Sequence, residues 1–163
     1  MKVDEYTHTP VLLEEVLIGL EIRPEGKYVD ATFGRGGHSL AILQRLNQQG
    51  RLLVFDRDPS SIALAKHYAN EDERIGFVHA PFSELEKHIA EQGLLGAVDG
   101  ILFDLGVSSP QLDNAERGFS FSRDGALDMR MNPGSGASAA DWVNTAKFDE
   151  IVRVLREYGE ERF

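Results

Sequence analysis

The chain has 163 residues, no cysteine, a formal net charge of -10 and an isoelectric point near 4.9. The absence of cysteine excludes a disulfide framework, a thiolate metal site and a cysteine nucleophile, and the acidic balance argues against broad nonspecific nucleic-acid binding, which leaves a basic footprint. The length suits a domain of ordinary size, the segment Met1 to Tyr6 lacks the apolar core of a signal peptide, and no apolar run approaches the about 20 residues of a membrane span, so a cytoplasmic protein with no membrane partner is expected.

In chain order, Thr9 is read as a helix cap with Pro10 at the first helical position, and Val11, Leu12, Val16, Leu17 and Leu20 line one side of that helix. A short apolar strand, Tyr28 to Phe33, then enters the loop Gly34-Arg35-Gly36-Gly37-His38, whose glycines permit positive φ and leave no Cβ between backbone and a ligand. The segment from Ser39 to Leu46 has helical apolar spacing, so its unpaired amino-terminal amides face the same crevice. Leu52 to Asp56 is a second strand, and Asp56 falls where nucleotide-binding α/β folds hold ribose hydroxyls.

Details of the loop narrow the ligand. A dinucleotide fingerprint wants a third glycine where Ser39 stands, which disfavours a nicotinamide-dependent oxidoreductase, and a Walker loop wants a lysine that His38-Ser39 lacks. Asp30, four positions before Gly34, would repel a pyrophosphate and suit a cation such as the sulfonium and ammonium of S-adenosylmethionine. The pattern Asp30-x-Thr32-x-Gly34-x-Gly36-Gly37 is close to the methyltransferase form of this turn, with Thr32 where glycine is frequent. A tight turn without a ligand is the alternative reading.

Further along, Asp58-Pro59 caps and starts a helix running to about Ala69, and capping explains Asp58 better than a metal-binding acid pair with Asp56 does. Ile75 to His79 is a third strand. Phe82 beyond it either flanks an adenine or is an ordinary core aromatic. Ser83 to Glu86 opens a helix to about Gln92, and Val98 to Asp104 is a fourth strand. Strands alternating with helices imply a mostly parallel, doubly wound sheet with its ligand at the carboxyl ends of the strands. The segment Asp104 to Gln111 follows the fourth strand, beside which methyltransferases of this architecture hold the transferred methyl. Pro110 stands where a nucleophile elbow needs glycine, and His8, His38, His67, His79 and His88 lie singly, so neither a serine hydrolase nor a metal site is expected.

Beyond Asp113 the chain is rich in turn residues. Arg117, Arg123 and Arg130, interleaved with Phe119 and Phe121, offer charge for phosphate and rings for base stacking; equally, they form a lid whose arginines pair with Glu116, Asp124 and Asp128. Two short helices, 138–144 and 148–159, close the chain.

Taken together, His8-Thr9-Pro10-Val11-Leu12, Asp30 to Ser39, Asp104 to Gln111, Glu116 to Phe121, Leu127 to Met131 and Tyr158 to Phe163 closely resemble the ribosomal RNA small subunit methyltransferase H (RsmH/MraW) family over essentially the whole chain. The resemblance implies an α/β, Rossmann-like class I S-adenosylmethionine-dependent methyltransferase fold. Residues 1–112 would form the cofactor-binding core with the first four strands, and 113–163 a loop and the beginning of a helical insertion that recognises substrate. It further implies methylation of the exocyclic N4 of a cytidine in the decoding region of small-subunit ribosomal RNA, with that RNA or the assembled small subunit as partner. Gly36, Gly37 and His38 would hold the methionyl part of the cofactor, Asp56 its ribose, and Phe82, Asp104 and Gln111 the rest of the pocket; Asp104 is also the candidate catalytic residue. Members of the family are roughly twice as long. The parallel sheet is therefore expected to be incomplete here, with the edge 98–104 inviting self-association, and a cofactor-binding fragment without activity is the alternative to an active enzyme.

Overall fold

A four-stranded, all-parallel sheet is built from β1 (Lys27–Asp30), β2 (Arg51–Asp56), β3 (Ile75–His79) and β4 (Gly100–Leu102), in the spatial order β3-β2-β1-β4. The computed structural model describes residues 10–162. The chain divides into two compact units, 1–106 and 107–163. The sheet belongs to the first, together with α1 (Leu13–Gly19), α2 (Gly37–Arg45), α3 (Pro59–Glu71) and α4 (Leu85–Glu91).

The strand sequences dictate a sheet covered on both faces. Alternate residues point to opposite sides, and in β2 both sets are apolar: Leu52 and Val54 join a core with Ile42, Leu43, Ala65 and Ile75, while Leu53 and Phe55 join a second with Val29, Ala80 and Ile89. Such double burial is the usual environment of parallel strands. Helices α1, α2 and α3 supply the first layer and α4 the second. Full burial of Ile42, Val54 and Phe55 is worth about 1.5–3 kcal/mol each. In the register, Asp30 lies opposite Val54 on one side and Leu102 on the other. Chain order reverses between β1 and β4, which opens a crevice at their carboxyl ends.

Two elements differ from the sequence expectation. The first helix begins at Leu13, after Leu12 in the left-handed region (φ 54) with no side-chain cap. Thr9 lies outside the described residues, and Pro10 packs against the glycine loop instead of starting the helix: a Cβ on Gly37 would collide with its ring. The fourth strand spans Gly100–Leu102 and not 98–104. At its start the Asp99 side chain accepts from Lys27 N (2.7 Å) and pairs with Arg23; at its end the next bond runs to a side chain instead of a ladder carbonyl.

The second unit holds α5 (Ser109–Asp113), α6 (Ala139–Thr145) and α7 (Phe148–Glu157). Its long connection is organised by arginines. Arg117 donates to the carbonyls of Arg130 (3.0 Å) and Met131 (2.9 Å), and Arg130 grips Asp128 through Nε (3.0 Å) and Nη2 (2.6 Å). That fork holds the Asp128 carboxyl at about 2, below its usual value of 3.8. Ser138 and Asp141 form a capping box that starts α6.

Candidate functional site

The glycine loop is a tight turn pinned on three sides. Gly36 sits in the left-handed region (φ 81), where a side chain would be strained, and its amide donates to Phe33 O at 2.8 Å. It is the N-cap of α2, and no side chain caps that helix, so the first-turn amides are directed into the crevice without a side-chain acceptor. Gly34 N donates to Asp56 Oδ2 at 2.8 Å, which ties the loop after β1 to the end of β2.

Three carboxylates stand at this end of the sheet, in different environments. Asp30 is 1% exposed. Its Oδ1 accepts from Thr32 N (3.0 Å) and its Oδ2 from Ser39 Oγ (2.6 Å). Burial pushes its carboxyl above the usual range, while the Ser39 and Thr32 hydrogen bonds and His38 pull the other way. The expectation that Asp30 meets a cation is thereby corrected: both oxygens are turned inward, and Ser39, where a dinucleotide fingerprint has glycine, is the partner that makes this burial tolerable. Asp56 is partly exposed and accepts backbone amides on both oxygens, from Gly34 and from Asp58 N at 2.8 Å; each carboxylate oxygen keeps a further lone pair for a hydroxyl. Asp104 is the most open, with a side chain 56% exposed.

His38, on the first turn of α2, is 7% exposed; its Nε2 lies 3.6 Å from Asp104 Oδ2, and its Nδ1 is buried with no hydrogen-bond partner. Phe82, at the start of the 3-10 turn after β3, is 46% exposed and meets the ring of Phe103 edge-on at 5.6 Å; Phe103 is 47% exposed. Neither ring is a core aromatic. Together they give the crevice an apolar wall beside its acids.

A model of the MraW methylase family matches residues 5–163. The chain belongs to the MraW methylase family. Among solved structures, a candidate rRNA-methylase from Clostridium thermocellum is similar, with 20% identity and a TM-score of 0.43, the match covering 47% of this chain and 46% of that one. The match to that protein thus spans about half of each chain. The all-parallel sheet with flanking helices is the Rossmann-like methyltransferase fold expected from the sequence.

Of the residues singled out by resemblance, Gly36, Gly37, His38, Asp56, Phe82 and Asp104 all lie in the first unit, at or just beyond the carboxyl ends of β1 to β4: Gly36 in the loop after β1, Gly37 and His38 in the first turn of α2, Asp56 at the end of β2, Phe82 in the 3-10 turn after β3 and Asp104 after β4. Gly37 owes its lack of a side chain to Pro10. Gln111 lies in the second unit, buried, and its Oε1 accepts from Ser108 N at 2.9 Å as part of the capping box of α5. Sequence reading passed over that box, although Ser108-x-x-Gln111 carries its pattern. It also passed over Phe103 and gave Thr32 no role, whereas Thr32 Oγ1 accepts from Asp104 N at 2.7 Å.

Arg117 and Arg130 are committed to their own loop, and Arg123 donates to Asp113 O, which favours the packed reading of these arginines over phosphate contact. Phe121 is fully exposed. A groove of about 470 Å³ opens at the opposite, amino end of the sheet, lined by Lys27, Arg51, Leu52, Arg74 and Ile75 among others. Its arginines are already bound to Asp72 and to main-chain carbonyls, and parallel sheets of this kind take ligands at the other end. Among the described residues no group of three or more acids or histidines could hold a metal, and no helix is long and apolar enough to cross a membrane.

Proposed function

We propose that this chain is the cofactor-binding part of an S-adenosylmethionine-dependent methyltransferase that modifies the N4 amine of a cytidine in the decoding region of small-subunit ribosomal RNA, with the RNA or the assembled small subunit as substrate. The observation that carries the reading is the pairing of family membership across residues 5–163 with a crevice at the carboxyl ends of β1, β2 and β4 that is rich in acceptors. The donor set suits this cofactor. Asp56, with lone pairs to spare, matches a ribose diol; the uncapped amides of Gly37 and His38 match the methionyl carboxylate; Phe82 matches an adenine face; Asp104 matches an ammonium. His38 Nδ1, buried and unpartnered, adds one polar atom awaiting a partner.

When bound, S-adenosylmethionine supplies an electrophilic methyl group on its sulfonium. The work of the protein is then to hold an amine in line with it. Cytosine N4 is a weak nucleophile because its lone pair is conjugated into the ring. An acceptor on its N–H localises that pair; the exposed carboxylate of Asp104, close to the end of β4, or a carbonyl of the turn 105–109 is proposed for that task, the alternative being that Asp104 acts only on the ammonium of the cofactor. Residues 113–163 are proposed to begin the substrate-recognition region. The outer edge of β4, which pairs only with β1 among the described residues and carries half-exposed Ile101, is proposed as a self-association edge.

The test is transfer of a labelled methyl from S-adenosylmethionine to unmodified small subunits, followed by nucleoside analysis. Label in N4-methylcytidine supports the proposal. Label in another nucleoside overturns the assigned position, and cofactor binding without transfer would leave the fragment reading.

A further inference from the structure

We infer that Thr32 is a positioning residue for Asp104, and that its hydroxyl presets the open carboxylate of the crevice. The inference rests on the cofactor reading above and deepens it. Where β1 and β4 run side by side, main-chain atoms make the bonds: the last of them is Ala31 N to Leu102 O at 2.9 Å. The two chains then diverge, because the order of strands reverses here. The next bond, Asp104 N to Thr32 Oγ1 at 2.7 Å, continues the ladder with a side-chain oxygen in place of a carbonyl. A glycine at this position offers no such acceptor.

The bond is one link of a closed ring. Ser39 Oγ donates to Asp30 Oδ2, Asp30 Oδ1 accepts from Thr32 N, Thr32 Oγ1 accepts from Asp104 N, and Asp104 Oδ2 lies 3.6 Å from Nε2 of His38, the neighbour of Ser39 on α2. The ring joins β1, α2 and the exit of β4 across the mouth of the crevice. Every member but Asp104 is buried or half-buried, so the ring converts the rigidity of the sheet into a fixed place for the one exposed carboxylate. Cutting the link at Thr32 leaves Asp104 on a loop with no other bond to its amide, and a ligand that needs this carboxylate must then order the loop itself.

Thr32→Val removes the hydroxyl and keeps the shape; Thr32→Ser keeps the hydroxyl. Calorimetric titration with S-adenosylmethionine and amide exchange at Asp104 are measured on both and on the parent chain. Thr32→Val is expected to bind about 3- to 10-fold more weakly, the worth of one neutral hydrogen bond, and to exchange faster at Asp104, while Thr32→Ser matches the parent in both. Ile75→Val, at the far end of the sheet, is expected to lower thermal stability without changing affinity. Parent-like binding by Thr32→Val overturns the inference, as does equal impairment of Thr32→Ser. Should Thr32→Val fail to fold, Thr32→Ala replaces it, with the same outcomes. A parent chain that does not bind S-adenosylmethionine removes the cofactor reading and this role with it, whereas a binding parent with an indifferent Thr32→Val removes the role alone.

Discussion

Replacing Asp56 by Asn separates the two jobs assigned to it. Its Oδ2 accepts from Gly34 N and its Oδ1 from Asp58 N, both at 2.8 Å. Asparagine keeps one acceptor and turns a donor toward the other amide, so one N–H loses its partner and the remaining bond loses its charge. An unsatisfied amide costs about 1–3 kcal/mol, and partial exposure of the site admits water and favours the lower half of that range. With about 0.5 kcal/mol for the neutralised bond, the expected loss is about 2 kcal/mol. In a unit of this size each kcal/mol moves the melting temperature by about 4–8 °C, so a fall of about 8–16 °C is expected by calorimetry. Independently, losing a charged acceptor for the ribose hydroxyls should weaken S-adenosylmethionine binding by about 1.5–3 kcal/mol, or about 10- to 150-fold. A variant that melts with the parent would refute the loop-pinning role. One that melts early yet binds with parent affinity would refute the ribose role.

Asp30→Asn keeps an acceptor for Thr32 N and offers an amide donor to Ser39 Oγ, while abolishing a buried charge. Because burial raises the Asp30 carboxyl above its usual value, its contribution to stability is full below that value and fades as pH rises through the raised one. Urea midpoints of Asp30→Asn are therefore expected to fall less than those of the parent between acid and neutral pH; parallel curves would show that Asp30 titrates normally. Gly37→Ala should gain helix propensity worth about 1 kcal/mol yet lose about 1–3 kcal/mol to the collision with Pro10, giving a net drop in melting temperature; a rise would remove Pro10 from this contact. In the second unit, Asp128 is held at about 2, so its pairing with Arg130 is intact above 3.8 and fades as pH falls toward 2. Trp142 fluorescence, reporting on α6, which is hydrogen-bonded to the Leu127 and Asp128 carbonyls, is expected to change over that window in the parent and to lose the step in Asp128→Asn.

Much of this architecture was legible because its signals are local. The strands at 51–56 and 75–79 are short apolar runs, Asp58-Pro59 is a cap and first turn, and Asp58 does accept from Ser60 N at 2.9 Å. Alternation of such elements yields a parallel sheet with its crevice at the carboxyl ends. Features fixed by tertiary contact were not legible. Pro10 looked like a helix start and is a packing partner of a glycine 27 positions on. Asp30 looked like a ligand group because sequence does not reveal which way a side chain turns, and Ser39 looked only like a missing glycine until its bond to Asp30 gave it a purpose. Thr32 and Asp104 are 72 positions apart, and only the adjacency of β1 and β4 makes them neighbours. The turn-rich stretch after Asp113 allowed two readings because an arginine bound to carbonyls and one awaiting a phosphate have the same local pattern.

The central claim is that ligand enters at the glycine loop. Amide resonances of the labelled chain, followed during titration with S-adenosylmethionine, test it most directly. Saturable shifts are expected at Gly34 to His38, Asp56, Phe82 and Asp104, with Arg51, Arg74 and Ile75 at the other end of the sheet unmoved. Shifts confined to that opposite groove, or none at saturating cofactor, would contradict the account.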